Sequence, residues 1–326
     1  MKRSSQKHQL FIGVLAVVLA SACYGVTPII SNACLRGGFP AEFVSRFFAD
    51  GPFAAAILAD PARAVNNEQL VCFSMGIACL LSLLGCAVSR KKLAVSGKQL
   101  WQLAVFGGGA LAGTLLLITY AYLRIPAGMT IVINFTYPVF VALAGILFFR
   151  ERIRPLVFVS LALAIFGIAL ISWAGLSGEV NAAGVLIAVL SGVTYAVYFI
   201  AGRRADYAGL DTGVANVYIT GAASLLATAI ALAASRFTFP QDAVMWGLLF
   251  LEALLGYVVG LRLLLLGIRL LGSTPASALN TLEPAFASAT SMLVFGETMG
   301  LTKGLGIVFV LGAALISIIA LRKKAE

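Results

Sequence analysis

The chain has 326 residues, of which 61% are hydrophobic and 11% charged, with a formal net charge of +10. A soluble domain of this length has no use for so much apolar surface, whereas a protein that crosses a bilayer many times does. The basic residues are scattered among short segments rather than gathered on one face, which argues against a nucleic-acid partner.

The chain opens with the basic stretch MKRSSQKHQ, then the apolar LFIGVLAVVLA and Ala20-Ser21-Ala22-Cys23, a layout that imitates a cleaved leader at the start of an apolar run over 10–33. Residues 13–30, GVLAVVLASACYGVTPII, nevertheless match 184–201, GVLIAVLSGVTYAVYFIA, with Gly13/Gly184, Leu19/Leu190 and Tyr24/Tyr195 aligned at an offset of 171. The second copy lies mid-chain, where no signal peptidase acts, so 10–33 is expected to be a retained first span.

Residues 34–68 follow. Glu42, Arg46 and Asp50 share one helical face there, and Gly51-Pro52 breaks the run. An amphipathic segment on the outer membrane surface is expected rather than an eleventh crossing.

Apolar runs at 69–89, 101–122, 127–149 and 155–175 complete a first set of five spans. Cys72, Cys79 and Cys86 form a stripe at seven-residue spacing that reads as helix packing rather than a metal path. The glycines Gly107, Gly108, Gly109 and Gly113 give the third span a small face for close approach. In the fourth, Pro138 sits at mid-span and is expected to kink the helix, freeing the carbonyl of Asn134.

Further runs lie at 182–202, 213–234, 243–266, 274–296 and 303–321. Residues 134–151, NFTYPVFVALAGILFFRE, match 280–297, NTLEPAFASATSMLVFGE, aligning Asn134/Asn280, Pro138/Pro284 and Glu151/Glu297. This offset is 146 rather than 171, so the first half carries a net 25 extra residues, which the 34–68 segment supplies. The expected fold is therefore an all-α membrane protein of ten transmembrane helices. They form two five-helix repeats, at 1–175 and 176–326, with the extra amphipathic segment between helices one and two. An odd number of spans per half makes the repeats inverted, the plan of a secondary transporter. With the N-terminus inside, 16 of the 23 Lys and Arg residues fall on the inner side. That bias places both termini in the cytoplasm and the protein, multi-pass, in a cell inner membrane.

Only two of the 13 acidic residues, Glu252 and Glu283, fall at mid-span. Carboxyls in the hydrocarbon region are costly and read as a coupling or substrate-anchoring pair, with protons as the candidate coupled ion. A pair with Arg262 is the structural alternative for Glu252, and a cap on the backbone freed by Pro284 the alternative for Glu283. Tyr24, Tyr137, Tyr195, Tyr198 and Tyr257 lie at similar depth and offer apolar walls with hydrogen-bonding tips. With Asn134 and Asn280 they form the candidate substrate-binding set. The only histidine is His8, in the N-terminal tail, and no phosphate loop, HExxH or GxSxG is present. No enzyme activity, cofactor or metal is expected.

Ala127 to Ser172 and Ser273 to Ser317 resemble the repeat unit of EamA-type carriers of the drug/metabolite transporter superfamily. The likeness rests on FTYPVF and TLEPAF, on FFRERI and FGETMG, and on a glycine-containing fifth helix. The chain departs from that pattern in its longer insertion at 34–68 and in Ser74, where such carriers often have an arginine. The resemblance implies a carrier, an exporter or exchanger, for small polar metabolites with amino acids as first candidates. Its partners would be the bilayer and a small-molecule substrate, and it would act as a monomer or homodimer. The competing reading is a non-transporting membrane component, an assembly factor or sensor.

Overall fold

The computed structural model describes residues 2–48, 51–151, 153–173, 176, 181–295 and 300–325. Asp50, Arg152, Glu297 and most of the expected junction at 174–180 lie outside them. Every regular element among the described residues is helical, as the long apolar runs require once no water is at hand to pair the backbone.

Helix α1 covers Lys2–Arg36. Two short helices follow, α2 (Ala41–Phe47) and α3 (Pro52–Ile57), neither long enough to cross a bilayer. Gly37, at φ +77°, makes the turn out of α1, and a Cβ there would lie 1.8 Å from the carbonyl oxygen of Asp60. Phe39 then bonds to both flanks of Leu58, its amide to the carbonyl of Ile57 (2.8 Å) and its carbonyl to the amide of Ala59 (2.9 Å). This segment is thereby folded back on itself.

Helix α4 (Asn67–Val88) starts from a reciprocal capping box between Asn66 and Gln69. The third span is α5 (Gly97–Gln102), a π-helical stretch at Leu103–Gly109, and α6 (Ala110–Tyr122). Helices α7 (Ala127–Asn134), α8 (Tyr137–Phe149) and α9 (Pro155–Ile171) follow. In the second half come α10 (Ala182–Arg204), α11 (Thr212–Ala233) and α12 (Ala243–Glu252). A second π-helical stretch at Ala253–Gly260 leads into α13 (Leu261–Leu271). Helices α14 (Ser273–Asn280), α15 (Glu283–Phe295) and α16 (Leu301–Ala325) end the chain.

Eight described helices, counting bent ones as single units, are long and apolar enough to cross a membrane, and Pro155–Ile171 is a shorter apolar helix. Ser273–Asn280 and Glu283–Phe295 are the two pieces of the expected ninth span.

The prolines do something different from the expected kink. Spans four and nine are broken outright, and Pro138 and Pro284 each stand second in the helix that follows the break. A proline in a first turn loses nothing, because its missing N–H would have no partner there. The same short turn bridges both gaps. Thr136 N–H donates to Ile133 and Val139 N–H to Thr136, matched by Leu282 to Leu279 and Ala285 to Leu282.

Packing follows the repeat. Helix α4 lies along α11 and α9 along α16, so equivalent spans of the two halves pair with each other. The first helix of each half packs on spans three and four of the other: α10 on α6 and α8, α1 on α13 and α15. Gly167 and Gly306 bring α9 and α16 together, since a Cβ on either would come within 2.7 Å of the other's carbonyl oxygen. The cysteine stripe faces α11, with Cys72 against Thr228 (2.9 Å) and Cys79 against the carbonyl of Val217 (3.3 Å). That is helix packing through small side chains.

One end of the bundle is strongly basic. There Lys91 pairs with Asp211 at 2.7 Å and Lys98 with Asp206 at 2.8 Å. Partial burial pushes the Asp211 carboxyl up, but Lys91 and the amides of Gly213 and Val214 outweigh it and hold the carboxyl below its ordinary value. A depressed carboxylate contributes stability above its unfolded value, near 3.9, and loses it as pH falls through the folded value. Protease cutting at the 205–211 connection is therefore expected to rise only on acidification below about pH 5. Asp211→Asn should show the raised cutting already at pH 7, an effect of at most about 1 kcal/mol because the pair is solvent-screened.

Candidate functional site

The two helix breaks lie at the middle of the bundle, and the polar residues beside them are used unequally. Asn280, at the end of α14, is fully buried. Its Nδ2 faces the Tyr137 hydroxyl at 3.1 Å, a carboxylate oxygen of Glu283 at 3.3 Å and the Tyr195 hydroxyl at 3.5 Å. Its Oδ1 accepts from the Ser21 hydroxyl of α1 at 3.2 Å. The Tyr137 hydroxyl in turn donates to the carbonyl of Ser277 at 3.3 Å. One amide thus joins α1, α8, α10, α14 and α15.

Aromatic rings surround this amide. Tyr137 and Tyr195 lie 4.5 Å apart between ring centres, and Phe199 packs on both. Tyr198 stacks with Tyr195 at 6.2 Å. Tyr24 completes the group from α1, within electrostatic reach of Tyr198, Tyr257 and Glu283. The hydroxyls of Tyr24 and Tyr198 are buried and have no protein partner. A buried hydroxyl without a partner is uncommon and marks a place where a polar ligand could be bound.

Five of the seven residues picked as a substrate-binding set, Tyr24, Tyr137, Tyr195, Tyr198 and Asn280, gather around the break in span nine, with Glu283 among them. Tyr257 and Asn134 do not join. Asn134, the sequence equivalent of Asn280, points away and donates to the Ser191 hydroxyl at 2.8 Å. Its carbonyl oxygen lies against Gly192. Each break asparagine thus meets a serine on the first helix of the other half, Ser191 and Ser21 being one position apart in the repeat alignment.

Glu252 is 2% exposed. One carboxylate oxygen accepts from the Ser31 hydroxyl at 2.9 Å, and the other is buried without a partner. The expected alternative, a pair with Arg262, does not form, because that guanidinium sits beside Gly213. Glu252 and Glu283 do not touch; Tyr257 lies within electrostatic reach of both. Directly after Glu252 the backbone becomes π-helical, and Asn216 of α11 donates to the buried carbonyl of Tyr257 at 2.8 Å. Such stretches often accompany functional sites.

Four residues had no signal in the sequence. Ser21, Ser31 and Ser191 look like ordinary small residues in apolar helices until their partners arrive from the other half. Glu68 sits in the first turn of α4 and reads as a span-end residue. The structure nevertheless buries it at 2% exposure, held by the Tyr120 hydroxyl at 2.7 Å and Arg236 at 3.3 Å. Beyond the site, a pocket of about 500 Å³ opens between α1, α15 and the turn into α2, lined by Pro28, Asn32, Arg36, Phe39, Glu42 and Ser291 among others. Among the described residues no cluster of His, Cys, Asp and Glu could hold a metal.

This architecture has known counterparts. The profile of the EamA-like transporter family matches residues 47–173 and again 182–319. The chain belongs to the EamA-like transporter family. The threonine/homoserine exporter RhtA of Escherichia coli K12 is 28% identical over 228 residues, covering 68% of this chain and 72% of RhtA. RhtA of Salmonella typhimurium SL1344 is 26% identical over 226 residues, with the same coverage. An uncharacterised transporter of Clostridium kluyveri is 23% identical over 259 residues, covering 76% of this chain and 82% of that protein. A solved crystal structure superposes with a TM-score of 0.75 at 15% identity, over 95% of this chain and 98% of the other, and so shares the fold. The chain is accordingly a multi-pass membrane protein and a small-molecule transporter, and membership implies a carrier rather than an enzyme.

Proposed function

We propose that this EamA-like transporter is a secondary active exporter or exchanger of small polar metabolites, with amino acids and their close relatives as the first substrates. The observation that carries this reading is the Asn280 cluster, in which tyrosines from both halves, an amide and a carboxylate converge at two broken helices. A broken helix puts backbone and polar side chains at mid-membrane depth, where a polar solute needs partners. An ammonium group suits Glu283 and the tyrosine faces, while amide and hydroxyl groups suit the polar remainder. The similarity to threonine/homoserine exporters supports amino acids in particular.

In this reading ten spans form inverted repeats at 1–175 and 176–326, and alternating access exchanges the conformations of the two halves. The mutual packing of equivalent helices supports that scheme. Segment α2–α3 lies on the outer surface, both termini are cytoplasmic, and the basic end of the bundle faces the cytoplasm. Glu252 supplies proton coupling, and Glu283 anchors the substrate.

Comparing metabolites inside and outside cells that make or lack the protein tests the reading. Overproduction is expected to move one or a few amino-acid-like compounds outward, several-fold above the control. Unchanged metabolite profiles across growth on amino-acid-rich and poor media would remove transport of this class. Reporters fused after Lys98, Arg154 and Arg204 should all read as cytoplasmic, and one within 55–66 as external.

A further inference from the structure

The ends of α8, α10 and α14 meet at the basic end of the bundle, and one carboxylate joins them. Helix α8 stops because Arg150 turns into the left-handed region at φ +50°, which lets the Glu151 amide reach back to the Gly145 carbonyl at 2.8 Å. That reversal lays the Glu151 side chain over the last turn of α8. It forms an ion pair with Arg204, in the last turn of α10, and accepts from the Thr274 hydroxyl, in the first turn of α14, at 3.4 Å. The Arg204 guanidinium also stacks on Phe149, 4.8 Å from the ring centre. The pair is half sheltered, with side chains 28% and 41% exposed.

These three helices are the ones that bring Tyr137, Tyr195 and Asn280 to the site. At the opposite end the arrangement differs. Exchange of the two halves carries α10 onto α1 and α8 onto α15, and the 500 Å³ pocket lies between the outer parts of α1 and α15. The helices are thus bridged at the basic end, while α1 and α15 touch at Gly25 and part beyond it around the pocket; Glu297, the counterpart of Glu151, lies outside the described residues. The α4–α11 pair shows no such difference. It is tied at one end by Asn66 to the Arg236 carbonyl (2.9 Å) and at the other by Lys91 to Asp211 (2.7 Å).

We infer that Glu151, Arg204 and Thr274 form the gate that closes the basic face, while the site communicates with the opposite face through the α1/α15 pocket. The inference rests on the transporter reading and adds to it the residues that hold one facing. In the cycle, breaking the Glu151–Arg204 pair lets α8 and α14 part from α10, and closure of α1 against α15 accompanies it.

Cysteine labelling in lipid nanodiscs, where both faces meet solvent, tests this with a water-soluble maleimide. Asn32→Cys reports the pocket. Ser277→Cys, fully buried one turn beyond Thr274, reports the space behind the gate. The parent chain, with its five free cysteines, is the blank. In the otherwise unchanged protein Asn32→Cys is expected to label quickly and Ser277→Cys slowly. Adding Arg204→Gln should raise Ser277→Cys labelling about fivefold and lower Asn32→Cys labelling by a similar factor, the shift expected from one partly exposed ion pair. The charge-swapped pair, Glu151→Arg with Arg204→Glu, should restore the original pattern. Unchanged labelling at both sites overturns the gate. So does a rise at Ser277→Cys with no fall at Asn32→Cys, which is local fraying. Labelling needs no substrate, so reciprocal changes in a protein that moves no amino acid would keep the gate and remove the transport reading.

Discussion

Asn280→Ala is expected to abolish transport, whereas Asn134→Ala should only slow it. The two asparagines align in the repeat, yet their surroundings differ. Removing the Asn280 amide takes the donor from the Glu283 carboxylate and one partner each from the Tyr137, Tyr195 and Ser21 hydroxyls, of which Tyr137 and Ser21 keep the carbonyls of Ser277 and Val17. Loss of the charge-assisted contact to Glu283, at about 1.5–3 kcal/mol, corresponds to roughly 10- to 100-fold weaker binding at the site. Removing Asn134 costs one bond to Ser191, a hydroxyl that still donates to the carbonyl of Ala188 at 2.7 Å. That loss is about 1 kcal/mol, or several-fold. Transport rates in proteoliposomes, with melting temperatures as a control for folding, decide the matter. Equal losses at both positions would show that the site uses the two breaks alike, and that the Asn280 cluster is not its centre.

The two membrane carboxyls should separate by role. Glu252 is buried against Ser31 with one oxygen unpartnered and no bond to Asn280, so Glu252→Gln is expected to remove the pH-driven component of transport while substrate still binds. Glu283 bonds to Asn280 inside the cluster, so Glu283→Gln should raise KM for an amino-acid substrate. Loss of one charge-assisted contact corresponds to roughly 10- to 100-fold. Glutamine keeps size and hydrogen bonding and deletes only ionisation, so a folding defect does not confuse the result. Uptake by vesicles under an imposed pH gradient measures both effects. Full pH dependence in the double variant would exclude both residues from coupling.

Much of this site was legible from residue type and depth. Asn280, Glu283 and the five tyrosines stand out because polar groups in apolar spans are costly and need a reason. Their grouping was less legible. Nothing local distinguishes Asn280 from Asn134, since both precede a proline by four residues in matched segments. Which of them meets tyrosines depends on the helices that arrive from the other half. Glu252 and Glu283 read as a shared pair from depth alone, and helix rotation sends them to separate partners. The prolines signalled a disturbance, but a kink and a break have the same sequence. Only the backbone shows a new helix beginning one residue before each.

The sequence by itself determined the material of the fold: apolar runs long enough to cross a bilayer, a duplicated half, a basic bias to one side, and polar residues at mid-depth. These are one-dimensional properties, set by hydrophobic length and charge, and they need no knowledge of neighbours. The tertiary structure alone decided what depends on azimuth. Side chains at one depth can face any direction, and packing of α1 and α10 against the opposite halves selects which ones meet. The Ser21–Asn280 and Ser31–Glu252 bonds, the burial of Glu68 under Tyr120 and the Glu151–Arg204 bridge all join residues 52 or more positions apart. No local pattern encodes such distant contacts, because each arises only when a helix has chosen its face.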